Sequence, residues 1–276
     1  MTFKLEATEY NQVGFAGDWH GNTFWALNKI KSFAELDIKR IYHVGDFGLW
    51  PGHDGAGYLR KVNRDLDKHD INIYVTLGNH DDYDKFDVLR EVEGGWKQFK
   101  GYPRIFFAQR GQVWYDGNVR MAALGGAGSI DKNLRTEGKS WWAQEEVLDS
   151  DVDKLIKNVE DAGWDRVDLL ITHDAATGTL QESKFFKKPY WFTPDVELYC
   201  NVQRNRLRIA NDAVRPHTVI HGHWHNYRVQ TLEGIGKDNE PYETQYIGLA
   251  CDNMYNNTII VTLTNDSPNK QFYLTE

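Results

Sequence analysis

Eight residues of this sequence have the types and spacing to do chemistry together: Asp18, His20, Asp46, Asn79, His80, His173, His223 and His225. Each follows a short apolar run, in the segments Gly17-Asp18-Trp19-His20, Gly45-Asp46-Phe47-Gly48, Gly78-Asn79-His80-Asp81, Thr172-His173-Asp174 and Gly222-His223-Trp224-His225. Asp18 and His20 are two apart, so in extended chain both side chains point to one face, and His223 and His225 repeat the spacing. Carboxylate, amide and imidazole donors without thiolate suit Mn, Fe or Zn. The adjoining glycines let the backbone turn sharply and approach an ion or a phosphate closely. One Asp or His at the end of a strand is ordinarily a turn residue or a helix cap; five such fragments in series are hard to reach by accident.

The elements that must position them are legible from periodicity. Val13–Gly17, Ile38–Gly45 and Ile71–Gly78 read as strands, alternating with helices over Thr23–Leu36 and Ala56–Lys68, with Asn22 as an N-cap. That alternation predicts a parallel sheet. Arg104–Ala108, Gln112–Tyr115 and Val119–Gly125 read as consecutive strands, with Asp116-Gly117 as a hairpin dipeptide. Ser140–Ala162 is expected to be mostly helical and Val167–Thr172 a strand. A helix follows from Thr193-Pro194 to about Ala213, and strands over Val219–Gly222, Tyr227–Leu232, Thr244–Leu249 and Thr258–Leu263. No linker, repeat or low-complexity tract divides residues 1–276, so one domain is expected, an α/β sandwich of two sheets with helices outside. Ligands of open α/β sheets bind at the C-terminal ends of strands, where all eight residues fall.

These fragments resemble the motifs of the calcineurin-like metallophosphoesterases: D-x-H, G-D-x-x, G-N-H-D/E, a lone His and G-H-x-H, matched here by GDWH, GDFG, GNHD, TH and GHWH across positions 18 to 225. The resemblance implies a four-layered α/β/β/α sandwich of two mixed sheets with a two-metal centre at the strand C-terminal ends. It implies that Asp18, His20 and His225 hold one divalent ion and Asn79, His173 and His223 the other, Asp46 bridging both. His80 is the implied general acid, with Asp81 orienting it. The ions expected are Mn, with Fe or Zn as alternatives. One departure matters: the G-D-x-x-D-R-G of the Ser/Thr protein phosphatases is replaced here by Gly45-Asp46-Phe47-Gly48-Leu49-Trp50, which argues against a phosphoprotein substrate. The segment Gly125–Glu145 looks similar to a stretch of short bacterial and phage members, without an implied role.

Two divalent ions bring four positive charges and the two Asp carboxylates remove two, leaving a centre that attracts phosphate. A hydroxide bridging two ions ~3.5–4 Å apart is expected to attack phosphorus, with His80 protonating the departing oxygen. Asn133 and Arg135, with Lys132, lie in a Gly-rich polar segment that reads either as a phosphate contact or as a solvated loop. Trp19 and Trp224 alternate with the ligands and read as core between layers, and one of Trp141 and Trp142 as buried at the start of a helix. The net charge of −8 leans against long nucleic acid, which is usually held by a basic face, although a nuclease stays open. A phosphorylated small molecule or nucleotide is the expected partner, and a non-catalytic interaction domain on the same fold is the alternative. Cys200 and Cys251 are in no paired spacing, Met1–Tyr10 lacks an apolar signal segment, and no run approaches the ~18–20 apolar residues of a membrane span. A cytoplasmic location is the expectation these features give.

Overall fold

The computed structural model describes residues 2–6, 12–179, 190–236, 239–263 and 273–275. One mixed sheet has the strand order Tyr273–Thr275, Thr258–Thr262, Gln12–Ala16, Arg40–His43, Asn72–Val75, Ile105–Phe107, Lys97–Gln98, Arg90–Glu91. The other runs Lys4–Leu5, Gln112–Asp116, Val119–Leu124, Leu169–Thr172, Thr218–His221, Pro241–Gly248, Arg228–Ile235. Within each sheet the strands that lead into the eight residues run parallel to one another, in register Ala16 with His43, His43 with Val75 and Ile171 with Ile220.

Side-chain alternation sorts each strand between two cores. Val13, Phe15, Tyr42, Tyr74, Met121, Ala123, Leu169, Ile171 and Ile220 meet between the sheets. Ala16, Ile41 and Ile73 face the other way and pack on Ala26, Ile30 and Phe33 of helix Thr23–Glu35 and on Leu59 and Val62 of helix Gly52–Lys68. Ala122, Leu124, Leu170 and Val219 pack on helices Asp149–Asp161 and Pro194–Val214. Three cores separate four layers, α/β/β/α, as the sequence motifs implied. Asn22 caps the first helix by accepting from the Trp25 backbone N–H at 3.1 Å. No described helix is long and apolar enough to cross a membrane.

Two local readings are corrected. The hairpin turn is Gly117-Asn118, because Asp116 is paired with Val119 as the last residue of its strand, with its carboxylate turned into the intersheet core. The stretch from Ser140 is helical only as a short 3-10 turn, Ala143–Glu145, before helix Asp149–Asp161 begins. Regular helix is given up there because Trp142 and Glu145, both buried, are drawn inward to separate partners: the Trp142 indole N–H donates to Asp84 and the Glu145 carboxylate accepts from Ser129.

Asp116 anchors a buried ion pair set between the two sheets. Arg40 Nη2 lies 2.7 Å from its Oδ1, and the Tyr42 hydroxyl donates to its Oδ2 at 2.6 Å. Removing one partner of such a buried pair leaves an uncompensated charge, at a cost of about 3–5 kcal/mol. Asp116→Ala is therefore expected to lose about that much in urea unfolding, and a loss below ~1 kcal/mol contradicts the assignment.

Candidate metal centre

The loops after the parallel strands bring the eight residues to one edge of the sandwich. Ligand atoms of Asp18, His20, Asp46 and His225 all lie within 4.8 Å of one another. His225 Nε2 is 3.2 Å from Asp18 Oδ2, and His20 Nε2 is 3.5 Å from Asp46 Oδ2. On the other side of Asp46, His173 Nε2 is 3.4 Å from its Oδ1 and 2.9 Å from Asn79 Oδ1, and the His223 ring stands 5.1 Å from that of His173. Asp46 thus sits between two groups of donors, with one oxygen toward each.

The backbone is bent hard to achieve this. His20, Asp46, His223 and His225 all adopt left-handed φ, at 45°, 52°, 68° and 51°. Such conformations cost of order 1–3 kcal/mol each for non-glycine residues and cluster where a site demands them. Two glycines permit close approach: a Cβ on Gly222 would stand 2.1 Å from Asp18 Oδ1, and one on Gly78 would stand 2.2 Å from Asp46 Oδ1. Backbone N–H groups then hold the carboxylates, His223 N donating to Asp18 Oδ2 at 3.0 Å and His80 N to Asp46 Oδ1 at 2.7 Å.

The donor set fits a pair of divalent ions. Asp18 Oδ1 is fully buried with no hydrogen-bond partner, an orphan acceptor that a cation would satisfy. The outer nitrogens of two histidines are occupied, leaving the inner ones to face the cluster. The Nδ1 atoms of His173 and His20 meet the Val44 carbonyl and Asp252 Oδ1, each at 2.9 Å. This is how metal-binding histidines are usually oriented. Asp252 also accepts from Asn22 Nδ2 at 2.7 Å. It was missed in the sequence, where only its place after the strand Thr244–Leu249 could have flagged it.

The other expectations divide. The carboxylate of Asp81 does not orient His80. Its two oxygens accept from the backbone N–H groups of Phe47, Gly48, Leu49 and Gly78, tying the loop after Arg40–His43 to the loop after Asn72–Val75. Instead Arg135 lies against the His80 ring, Nη2 at 2.9 Å from Nδ1, with Asp131 2.7 Å from its Nε. Asn133 is exposed, while Lys132 lies over the rings of Trp141 and Tyr199 at 4.3 and 4.1 Å. Of the basic and amide residues in this segment, Arg135 is the one in contact with His80. Trp19 is core, as expected. Trp224 is not: half-buried, it sits between His223 and Arg204 and donates its indole N–H to Asp174 at 2.7 Å.

The charges explain how such a centre behaves without ions. Burial lowers the histidine pKa values, but the Asp46 and Asp18 carboxylates outweigh it at His20 and His173, raising them to about 9 and about 10, and Asp18 with the Cys251 sulfur outweighs it at His225, raising it to about 11. Burial raises Asp46, yet His173 and His80 hold it well below the usual range. Protons on the imidazoles therefore stabilise the chelated protein fully below the unfolded value of about 6.5, and that contribution is lost as pH rises through about 9 to 11. An incoming cation must displace those protons. Calorimetric titration of chelated protein with Mn²⁺ at pH 7, in buffers of different ionisation enthalpy, should show more than one proton released per chain and affinity rising toward pH 9. Uptake without proton release contradicts the ligand geometry.

No family model matches the chain, and no curated protein matches it. Solved structures do resemble it. A dimetal phosphatase of Danio rerio superposes with a TM-score of 0.52 at 13% identity, over 93% of this chain and 94% of that one. A Thermus thermophilus protein gives 0.50 at 9% identity, over 88% and 90%. Another crystal structure gives 0.57 at 12% identity, over 96% and 98%. At these identities the likeness is one of architecture, and it is the architecture that the motifs implied: the chain has the calcineurin-like metallophosphoesterase fold.

Proposed function

We propose that the chain is a metal-dependent phosphoesterase. The observation that carries this reading is the convergence of the seven expected ligands, Asp46 lying between the other six, with His80 beside them, Nε2 at 3.9 Å from Asp46 Oδ2. Asp18, His20 and His225 would hold one divalent ion and Asn79, His173 and His223 the other, with Asp46 shared; Mn is the ion we favour. Ions held there supply the positive charge that draws in a phosphate ester and the Lewis acidity that activates water.

The protein's own groups divide the remaining work. Arg135 points its guanidinium at the His80 ring, where the non-bridging oxygens of a phosphate would pass, and its forked donors suit them. The His80 imidazole is placed to hand a proton to the departing oxygen, a step typically worth ~10²–10⁴-fold. A cavity of about 330 Å³ opens against His80, with Trp50, Lys139 and Trp142 among its walls. It offers a leaving group a recess with aromatic walls in which the Lys139 ammonium is balanced by the Asp54 carboxylate, and small organic esters and nucleotides are the substrates we favour, phosphodiesters ahead of monoesters. The net charge of −8 supports a small substrate over long nucleic acid.

The deciding experiment is a hydrolysis panel with added Mn²⁺, covering aryl monoesters, aryl diesters, cyclic nucleotides, dinucleoside polyphosphates and single-stranded DNA. Turnover of aryl and nucleotide diesters is expected, with DNA slow. A protein that binds no Mn, Fe or Zn and leaves every substrate intact is a non-catalytic domain on this fold.

Two substitutions locate the chemistry. Asp46→Asn should weaken both ions and lower kcat by at least ~10³-fold, whereas full turnover would contradict the shared ligand. His80→Ala should keep both ions and slow alkyl and nucleoside esters ~10²-fold or more, with nitrophenyl esters much less affected. Equal slowing of the two kinds of ester removes His80 as the acid.

A further inference from the structure

The segment Gly125–Glu145 carries residues that the proposed chemistry leaves unused. Gly125 follows strand Val119–Leu124 directly. Arg110 holds the segment's two ends together. Its guanidinium donates to the carbonyls of Gly125, Gln144, Glu145 and Glu146, at 2.8, 2.6, 2.9 and 2.7 Å. This staple delivers the Glu145 side chain into the interior, where Ser129 and Glu145 are both wholly buried. Isolated burial of a carboxylate is costly, so its partners are informative. Glu145 Oε1 accepts from the Ser129 backbone N–H at 2.8 Å and from the Tyr199 hydroxyl at 3.1 Å. Glu145 Oε2 accepts from the Ser129 hydroxyl at 2.7 Å, and Ser129 Oγ in turn accepts from Asn79 Nδ2 at 2.9 Å.

We infer that Ser129 and Glu145 form a positioning relay that fixes which end of the Asn79 amide faces the metal centre. This rests on the reading of Asn79 as a ligand. The direction of the chain follows from donor counting. Burial raises the Glu145 pKa to about 7; above that pH the carboxylate only accepts, so the Ser129 hydroxyl must donate to Glu145 and can only accept from Asn79. The Asn79 NH₂ is thereby committed to Ser129. Its oxygen is left on the side of His173 Nε2, 2.9 Å away, where an ion would need it. The two ends of an amide have nearly the same shape, and shape alone does not choose between them. A flipped Asn79 would present an NH₂ to the cation.

Two substitutions test the relay without removing a ligand. Glu145→Gln keeps the size and shape of the side chain, but one of the two Ser129 donors then meets an N–H, whichever way the new amide turns. Ser129→Ala removes the acceptor of the Asn79 NH₂. Mn²⁺ titration by calorimetry, with metal content after dialysis, separates the two ions. Either variant is expected to lower the affinity of one ion about 10–100-fold, the range typical for outer partners of metal ligands. The other ion, on Asp18, His20 and His225, should change by no more than a few-fold, with Tm retained. Asn79→Ala serves as the reference. If it weakens one ion while Glu145→Gln and Ser129→Ala leave both affinities intact in folded protein, the relay is refuted and the ligand reading stands. If Asn79→Ala leaves both ions unaffected, the ligand reading fails and the inference with it.

Discussion

Two buried carboxylates set the terms for the rest of this structure. Asp18 and Asp46 are sealed from water, and an uncompensated ion in that position costs several kcal/mol. The backbone N–H groups of His223 and His80 relieve part of the cost, but only positive charge can offset the remainder. It is available in two forms, protons on His20, His173 and His225 or divalent cations in their place. The same geometry serves both, because an inner nitrogen near a carboxylate can hold a proton toward it or a cation beside it. Acid and metal thus compete for one set of atoms, and the four left-handed residues are the strain accepted to bring those atoms together.

The sandwich is arranged to keep that set rigid. Parallel strands end in register at one edge, so each successive loop starts from a fixed height. Asp81 then knots two of those loops through four backbone N–H groups. Its burial raises its pKa to about 6, with the nearby Asp46 charge acting in the same direction and the backbone donors opposing. A carboxylate spent on loop geometry is as necessary to the centre as one that faces it, although a motif gives both the same letter.

This distinction marks what was readable in the sequence. Asp18, His20, Asp46, His173, His223 and His225 were found because each lies just beyond an apolar strand, where strand period and chain direction decide placement. The role of Asp81 was misread because its neighbour His80 is adjacent only along the chain, and in space the Asp81 oxygens turn to the backbone. Asp252, Ser129 and Glu145 were out of reach for a different reason: their partners are 232, 50 and 16 residues away, and no periodicity encodes such pairings. Ser140–Ala162 is mostly helical as expected, but its first part is not regular helix on the same ground, since the tertiary partners of Trp142 and Glu145 overrode local helical pattern. The two sheets with helices outside, by contrast, were legible from the alternation of strand and helix runs, and the four-layer order from what the resemblance of the motifs implied.

Exposure also orients the site. His173, Asn79 and Asp46 are buried, whereas the side chains of His225 and His80 are 43% and 37% exposed. Among the described residues the His173 and Asn79 side of the centre is therefore the more enclosed, and on the proposed reading a phosphate would arrive past His80, His20 and His225. Arg135 contacts His80 on that open side, and the cavity with Trp50 and Lys139 in its walls opens against His80 as well. On the proposed reading, a phosphate ester entering by this route would keep its leaving group in that cavity, on the His80 side. The enclosed side instead holds the Asn79 amide by a buried chain of hydrogen bonds through Ser129 to Glu145, so the orientation of that amide is set from the interior and not from the side a substrate would approach.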